Sequence, residues 1–264
     1  MTKFKKYFSI FLIYSKNTLS RDISFRLSFF MSLIGSFCFV ALNFFIVYFL
    51  MQKINIGRWS YDEMIILLGN FYVLSYSIFL LFWRGFLHLV RDIRSGIFDY
   101  NLVRPVDSQF LVSLTGGGFH NLLSVVFGFF VIGWGIVNLG SGLNLIQIVA
   151  WTISMLLGIL ACYSYILLII TLNFRYGYLE EVINLAFGFQ DFARYPIDAF
   201  SKLPFYLLFF AIPFSSLTTI PSIILIDTIF PTSKFLVFSV ICVIFILFVR
   251  KVWVISLRNY TSSS

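Results

Sequence analysis

Charge is what this chain has least of. Only 11% of its 264 residues are Asp, Glu, Lys or Arg, against roughly 25% in an ordinary soluble domain. Meanwhile 60% are hydrophobic and the mean hydropathy is +0.95. A soluble core cannot absorb that much apolar surface, so the bilayer becomes the relevant solvent. Cysteine is scarce: Cys38, Cys162 and Cys242 each lie in an apolar run without CxxC or other ligand spacing, which argues against a disulfide framework or zinc site and for buried free thiols. The two histidines, His88 and His120, stand on either side of Pro105 and do not read as a shared metal site. No GxxxxGK[ST] phosphate loop occurs, so the chain has no visible means of cradling ATP phosphates. Gly116, Gly117 and Gly118 lack the Lys-Ser/Thr of such a loop and read as a place where helices approach closely. No His, Asp, Glu or Cys cluster collects at one depth, so we expect no catalytic residue, no metal and no cofactor in this chain, and no enzyme activity of its own.

The net charge of +8 comes from basic residues scattered between apolar runs. They form no long basic tract with interleaved aromatics, so nucleic acid is not an expected partner. Their placement marks topology instead.

What is present is a series of apolar runs, each compared with the roughly 20 residues a helical span needs. Runs 27–51, 64–83, 109–137 and 145–172 read as spans one to four, and 234–253 as the last. Before them, residues 1–26 set Phe4, Phe8, Phe11, Leu12, Leu19 and Ile23 at mostly helical spacings among six Lys and Arg, as in an interfacial amphipathic helix; a charged flank before the first span is the plainer reading. The apolar stretch after Lys3, Lys5 and Lys6 is short and precedes no small-residue cleavage site, so we expect it to be retained.

Between Asn173 and Pro231 the pattern breaks up. Charges at Glu180, Glu181, Asp191, Arg194, Asp198 and Lys202 interrupt it, with Pro196, Pro204, Pro213 and Pro221. Either a short fifth span covers 181–195 and 203–226 dips in from outside as broken helices, or 203–226 is itself the fifth span. Both give an all-α integral membrane protein with six transmembrane helices and a single transmembrane domain over 1–264. Under the first placement, fourteen of the 19 Lys and Arg fall on the side of the two termini, which makes that side cytoplasmic.

The one long hydrophilic loop deep in the chain is 84–107. On a helix, Phe86, Leu89, Val90, Ile93 and Ile97 share one face, and Arg84, His88 and Arg91 the other. Gly96 fits a helix C-cap. Pro105 cannot continue a helix and holds Arg104 extended. Such a rigid-ended knob suits force transmission from a partner, or anchorage to anionic lipid. Ionisable residues inside membrane segments are functional candidates. Glu180, Glu181, Asp191 and Arg194 qualify, although interfacial positions are the plainer reading and Asp191 and Arg194, three apart, can pair locally.

The segment Ile93-Arg94-Ser95-Gly96-Ile97-Phe98-Asp99-Tyr100-Asn101-Leu102-Val103-Arg104-Pro105 resembles the coupling segment of ABC type-2 permeases. More narrowly, it is similar to a six-span bacterial subfamily that often occurs as paired permeases. Tyr195-Pro196, Ala211-Ile212-Pro213-Phe214 and Ile220-Pro221 resemble the outer proline-rich region of that subfamily, and the tail from Trp253 through Leu257-Arg258-Asn259-Tyr260 resembles its ending. The resemblance implies the permease subunit of an ATP-driven ABC exporter in a bacterial-type plasma (inner) membrane, both termini cytoplasmic. It implies a hydrophobic or amphiphilic substrate, such as a drug, antimicrobial peptide or lipid, moved outward by alternating access. It also implies a separate cytosolic ABC ATPase carrying ATP and Mg, and a second permease subunit, identical or related. The coupling helix would then include Arg84, Arg91, Asp92, Ile93, Arg94, Gly96 and Asp99, and 203–226 would be re-entrant, which favours 181–195 as the fifth span. An ion-gradient-driven secondary transporter is the alternative; it would more often show an internal repeat, and the first half has no match for the outer prolines.

Overall fold

The computed structural model describes residues 3–24, 26–53, 58–114, 117–140, 142–171, 174, 184, 187–200, 205–258 and 260, and all regular structure among them is helical. The α-helices are α1 (Lys3–Ser24), α2 (Arg26–Lys53), α3 (Tyr61–Leu81), α4 (Trp83–Ser95), α5 (Phe98–Val103), α6 (Ser108–Leu114), α7 (Leu122–Leu139), α8 (Leu145–Thr171), α9 (Phe205–Ile226) and α10 (Thr232–Arg258). Four stretches are long and apolar enough to cross a membrane: Tyr61–Leu81, Phe119–Leu139, Leu145–Thr171 and Thr232–Arg258. A further helix, α2, has 28 residues.

The centre of the bundle is α3. It starts at a capping box: the Ser60 hydroxyl accepts from the Glu63 backbone N–H, and the Glu63 carboxylate accepts from the Ser60 N–H at 2.7 Å. From Met64 to Ser75 every residue is buried, the pattern of a helix apolar on all sides. Against it, α7 packs antiparallel through three glycines. A Cβ on Gly69 would stand 2.9 Å from the Ile132 nitrogen, one on Gly128 3.0 Å from the Val73 nitrogen, and one on Gly135 3.2 Å from the Asp62 oxygen. Backbone therefore meets backbone along this seam, as small residues allow in membrane helices.

On the other side, α8 runs parallel to α3. The Trp151 indole N–H donates to Asn70 Oδ1 at 2.8 Å, and the Tyr163 ring meets Phe82 at 4.6 Å. Antiparallel to both lies α9, where the Asn70 amide donates to Ser222 Oγ at 2.9 Å and the Gln147 amide donates to the carbonyls of Ile224 and Asp227. The bundle thus has two ends. One carries Trp59, Ser60, Gln147 and Asp227; there Trp59 donates to Asp198 at 2.9 Å and Arg58 faces Asp227 at 3.8 Å. The other gathers α1, residues 83–114, Phe174 and the last turns of α10.

Three expectations change. The run 109–137 is not one helix: α6 ends at Leu114, Gly117 and Gly118 are non-helical, and the next element starts with the 3-10 turn Phe119–Asn121. A Cβ at Gly117 would stand 2.1 Å from the Leu80 oxygen, so the chain passes too close to α3 for a side chain. Residues 205–226 form a single helix with Pro213 and Pro221 inside it, where the favoured of the two sequence readings has broken helices. Ser215 and Thr218 tie this helix to the segment before it through the Tyr195 and Ala193 carbonyls, and Ser222 bonds back to the Thr218 carbonyl. Finally, Cys38 is exposed, while Cys162 and Cys242 are buried and all three are free. Of the expected fifth span 181–195, residues 187–190 are helical and Asp191–Arg194 form a 3-10 turn. Most of its first turn, with Glu180 and Glu181, lies outside the described residues, as does Gly116.

Candidate functional site

The knob grows directly out of α3. Phe82 donates its N–H to the Ile78 carbonyl at 2.9 Å and accepts from the Phe86 N–H at 3.0 Å, while its own backbone leaves the helical region (φ −123°, ψ −22°), so Phe82 is the bend at which α3 passes into α4. Phe86, Leu89, Val90 and Ile93 are buried and His88, Arg91 and Arg94 are exposed, as the periodicity dictates. Gly85 is where α4 meets α6: a Cβ there would lie 2.4 Å from the Val112 oxygen. Arg84 and Asp92 are half-buried. Burial pushes the Asp92 carboxyl up from its ordinary value, opposed by the charges of His88 and Arg91 and by a hydrogen bond with Asn101.

At Gly96 the backbone turns left-handed with φ 72°, a conformation that costs glycine nothing. That reversal takes Ile97 off the apolar face and leaves it 51% exposed, contrary to the helical projection. Phe98 then drives inward, fully buried between Phe174, Tyr260 and Trp253 at ring separations of 5.4, 5.5 and 6.4 Å. The other face of α5 turns outward: Tyr100 is 72% and Val103 85% exposed. Asp99 is half-buried. Arg104 is extended (φ −69°, ψ 140°) before Pro105.

Where the loop re-enters the bundle, a polar network anchors it. Asp107 Oδ1 accepts from the Phe110 N–H at 3.2 Å and so caps α6. Its carboxylate also takes both terminal nitrogens of Arg250 from α10, one at 3.2 Å and one closer. Arg250 donates further to Gln109 Oε1 at 2.6 Å; the Gln109 amide donates to the Tyr163 hydroxyl of α8 at 3.1 Å; and that hydroxyl lies 2.5 Å from Ser113 Oγ. The N-terminal helix joins in. The Asp107 N–H donates to the Tyr7 hydroxyl at 3.1 Å, Lys6 donates to the Pro105 carbonyl at 2.9 Å, and the Tyr7 ring packs on Phe110 at 4.6 Å. Burial pushes the Asp107 carboxyl up, but the Arg250 hydrogen bond and charge, with the backbone N–H groups of Phe110 and Gln109, outweigh it and leave the carboxyl below its ordinary value.

The residues expected at the knob are therefore on one short elbow. Its outward surface carries Arg91, Arg94, Ile97, Tyr100 and Val103, and its root reaches α1, α8 and α10. The root was not legible from the sequence, because 143 residues separate Asp107 from Arg250 and no spacing rule connects them. Away from the elbow, Arg194 pairs with Asp191 at 2.8 Å, as their spacing implies. Among the described residues, no group of three or more His, Cys, Asp or Glu is arranged to hold a metal ion.

A bundle of long apolar helices with lipid-like exposed faces, carrying one firmly rooted hydrophilic elbow at one end, defines a multi-pass membrane protein. Residues 37–264 match the family described as ABC-2 family transporter protein. The chain belongs to that family, the membrane component of an ABC transporter. No curated protein and no solved structure matches it.

Proposed function

We propose that this chain is the permease subunit of an ATP-driven exporter, in which a separate ATPase docks on the elbow formed by α4 and α5. The observation that carries this reading is the two-sidedness of the elbow. It presents two arginines beside exposed Ile97, Tyr100 and Val103, a mixture suited to a protein partner more than to water. Its opposite side is fixed through Phe98 and Asp107 to α10, which crosses the bundle. ATP and Mg belong to the partner, whose closure would press Arg91 and Arg94 and, through the bend at Phe82, move α3. Six spans follow: α2, α3, α7, α8, a short fifth over 181–195, and α10. Since α1 and the end of α10 lie at the elbow's end, both termini face the cytosol when the ATPase does. A second permease, identical or related, completes the pathway for a hydrophobic or amphiphilic substrate moved outward by alternating access.

The test is co-purification. The chain is expressed with a candidate ATPase encoded beside it and purified through the permease alone. Arg94→Glu combined with Gly96→Pro is expected to abolish association while membrane insertion stays normal. An ATPase that stays bound to this variant would remove the elbow as its dock; the absence of any associated ATPase would sink the exporter reading.

A further inference from the structure

Away from the elbow, α2, α3, Asn121 and residues 187–194 border an open cavity of about 570 Å³. Its wall mixes two chemistries. Phe71, Phe79 and Phe187 supply aromatic surface, Phe79 and Phe187 being stacked at 5.5 Å. Ser75 lies one turn from both Phe71 and Phe79 on α3, and Gln190, Asp191 and Arg194 complete the polar lining. Ser75 is 4% and Gln190 3% exposed, yet Ser75 Oγ, both amide atoms of Gln190 and Arg194 Nε are buried with no hydrogen-bond partner. Buried polar atoms are nearly always satisfied, and four orphans on one cavity wall mark a place where something else supplies the partners. The Arg194 guanidinium is held, not free to swing: Asp191 takes one terminal nitrogen at 2.8 Å, and the rings of Phe39 and Phe71 each lie 5.0 Å from its carbon. Nε itself is left without a hydrogen-bond partner. A neighbouring groove of about 610 Å³ between α2, α3 and α7 has a comparable aromatic lining and no charged residue.

We infer that this cavity binds a singly anionic amphiphile, its carboxylate or phosphodiester oxygens on Arg194, Gln190 and Ser75 and its apolar body against Phe71, Phe79 and Phe187. The unpaired donors select oxygen acceptors. A cationic head would meet Arg194, and Asp191, whose side chain is 58% exposed, already holds that arginine. This assignment rests on the permease reading and names the chemical class of its cargo.

The experiment uses the purified chain in detergent with a diazirine-bearing stearate as photolabel, followed by peptide mapping. Labelling is expected in the peptides holding residues 71–79 and 187–194. Arg194→Met should lower it about tenfold, the value of one lost charge-assisted hydrogen bond. Gln190→Leu serves as the second variant: it replaces an unsatisfied amide by an apolar group of similar size, so it folds, and labelling should fall there too. Unlabelled oleate, lysophosphatidylglycerol or both should compete, the active one identifying the headgroup as carboxylate or phosphodiester. Equal competition by oleylamine, labelling spread evenly over the lipid-facing helices, or unchanged labelling in folded Gln190→Leu would overturn the assignment. No ATPase is present in this assay, so its outcome is independent of the co-purification.

Discussion

Asp107 joins two structures with one carboxylate, the cap of α6 and the tie to α10. Because its folded pKa is depressed, the stability it contributes is present above the ordinary carboxylate range and is lost as pH falls through the folded value. Protection of the amides of residues 107–114, after division by the intrinsic pH-dependent exchange rate, should therefore be constant down to about pH 4 and fall only below it. Substitutions separate the two jobs. Asp107→Asn keeps an acceptor for the cap and loses the ion pair, a half-exposed contact worth about 1 kcal/mol or less; Arg250→Met should cost more, because it also removes the hydrogen bond to Gln109. Asp107→Ala should cost about 1 kcal/mol more, the usual value of an N-cap, read by thermal unfolding in detergent. Asp92 has the opposite sign: its raised pKa means folding favours the protonated form, so its contribution fades as pH rises, and Asp92→Asn should be neutral or stabilising. At this scale the sequence foretold the local pair Asp191 and Arg194 and the extended Arg104. It could not foretell Arg250, which read only as a positive charge marking one side of the membrane.

Among the elements, α4 was the most legible, since a strong 3.6-residue alternation of apolar and charged residues places Phe86, Leu89, Val90 and Ile93 inward without further information. Legibility stopped at Gly96, where one left-handed residue re-aims everything after it. Gly96→Ala should cost about 1 kcal/mol from the left-handed backbone alone and should weaken ATPase association more than overall stability. The boundary between α6 and α7 was hidden for a different reason: hydropathy is blind to a backbone break within an apolar run, and only the close passage of Gly117 by Leu80 explains it. The seam of α3 and α7 makes a further test. Gly128→Leu forces a side chain against the α3 backbone and should cost about 1–3 kcal/mol as overpacking, lowering the thermal midpoint without touching the elbow.

For the whole molecule, the grouping of segments by side was readable from charge alone, because short basic loops gather where α1, the elbow and the end of α10 meet. In a background with Cys38, Cys162 and Cys242 replaced by serine, Val103→Cys and Ile229→Cys place exposed thiols at opposite ends of the bundle. An impermeant maleimide applied to sealed vesicles should label one and spare the other, with the pattern reversed on inside-out vesicles. Labelling of both from one side would refute the two-ended arrangement.

The glycine seam has a mechanical meaning. Two helices whose backbones approach this closely at Gly69, Gly128 and Gly135 have little room to slide or compress against one another, so they act as a single girder. A girder driven at one tip, through the bend at Phe82, passes the stroke on as a body. It pivots, and the tip beyond Ser60 and Gly135 travels the other way, which makes this molecule geared where most helical bundles are sprung.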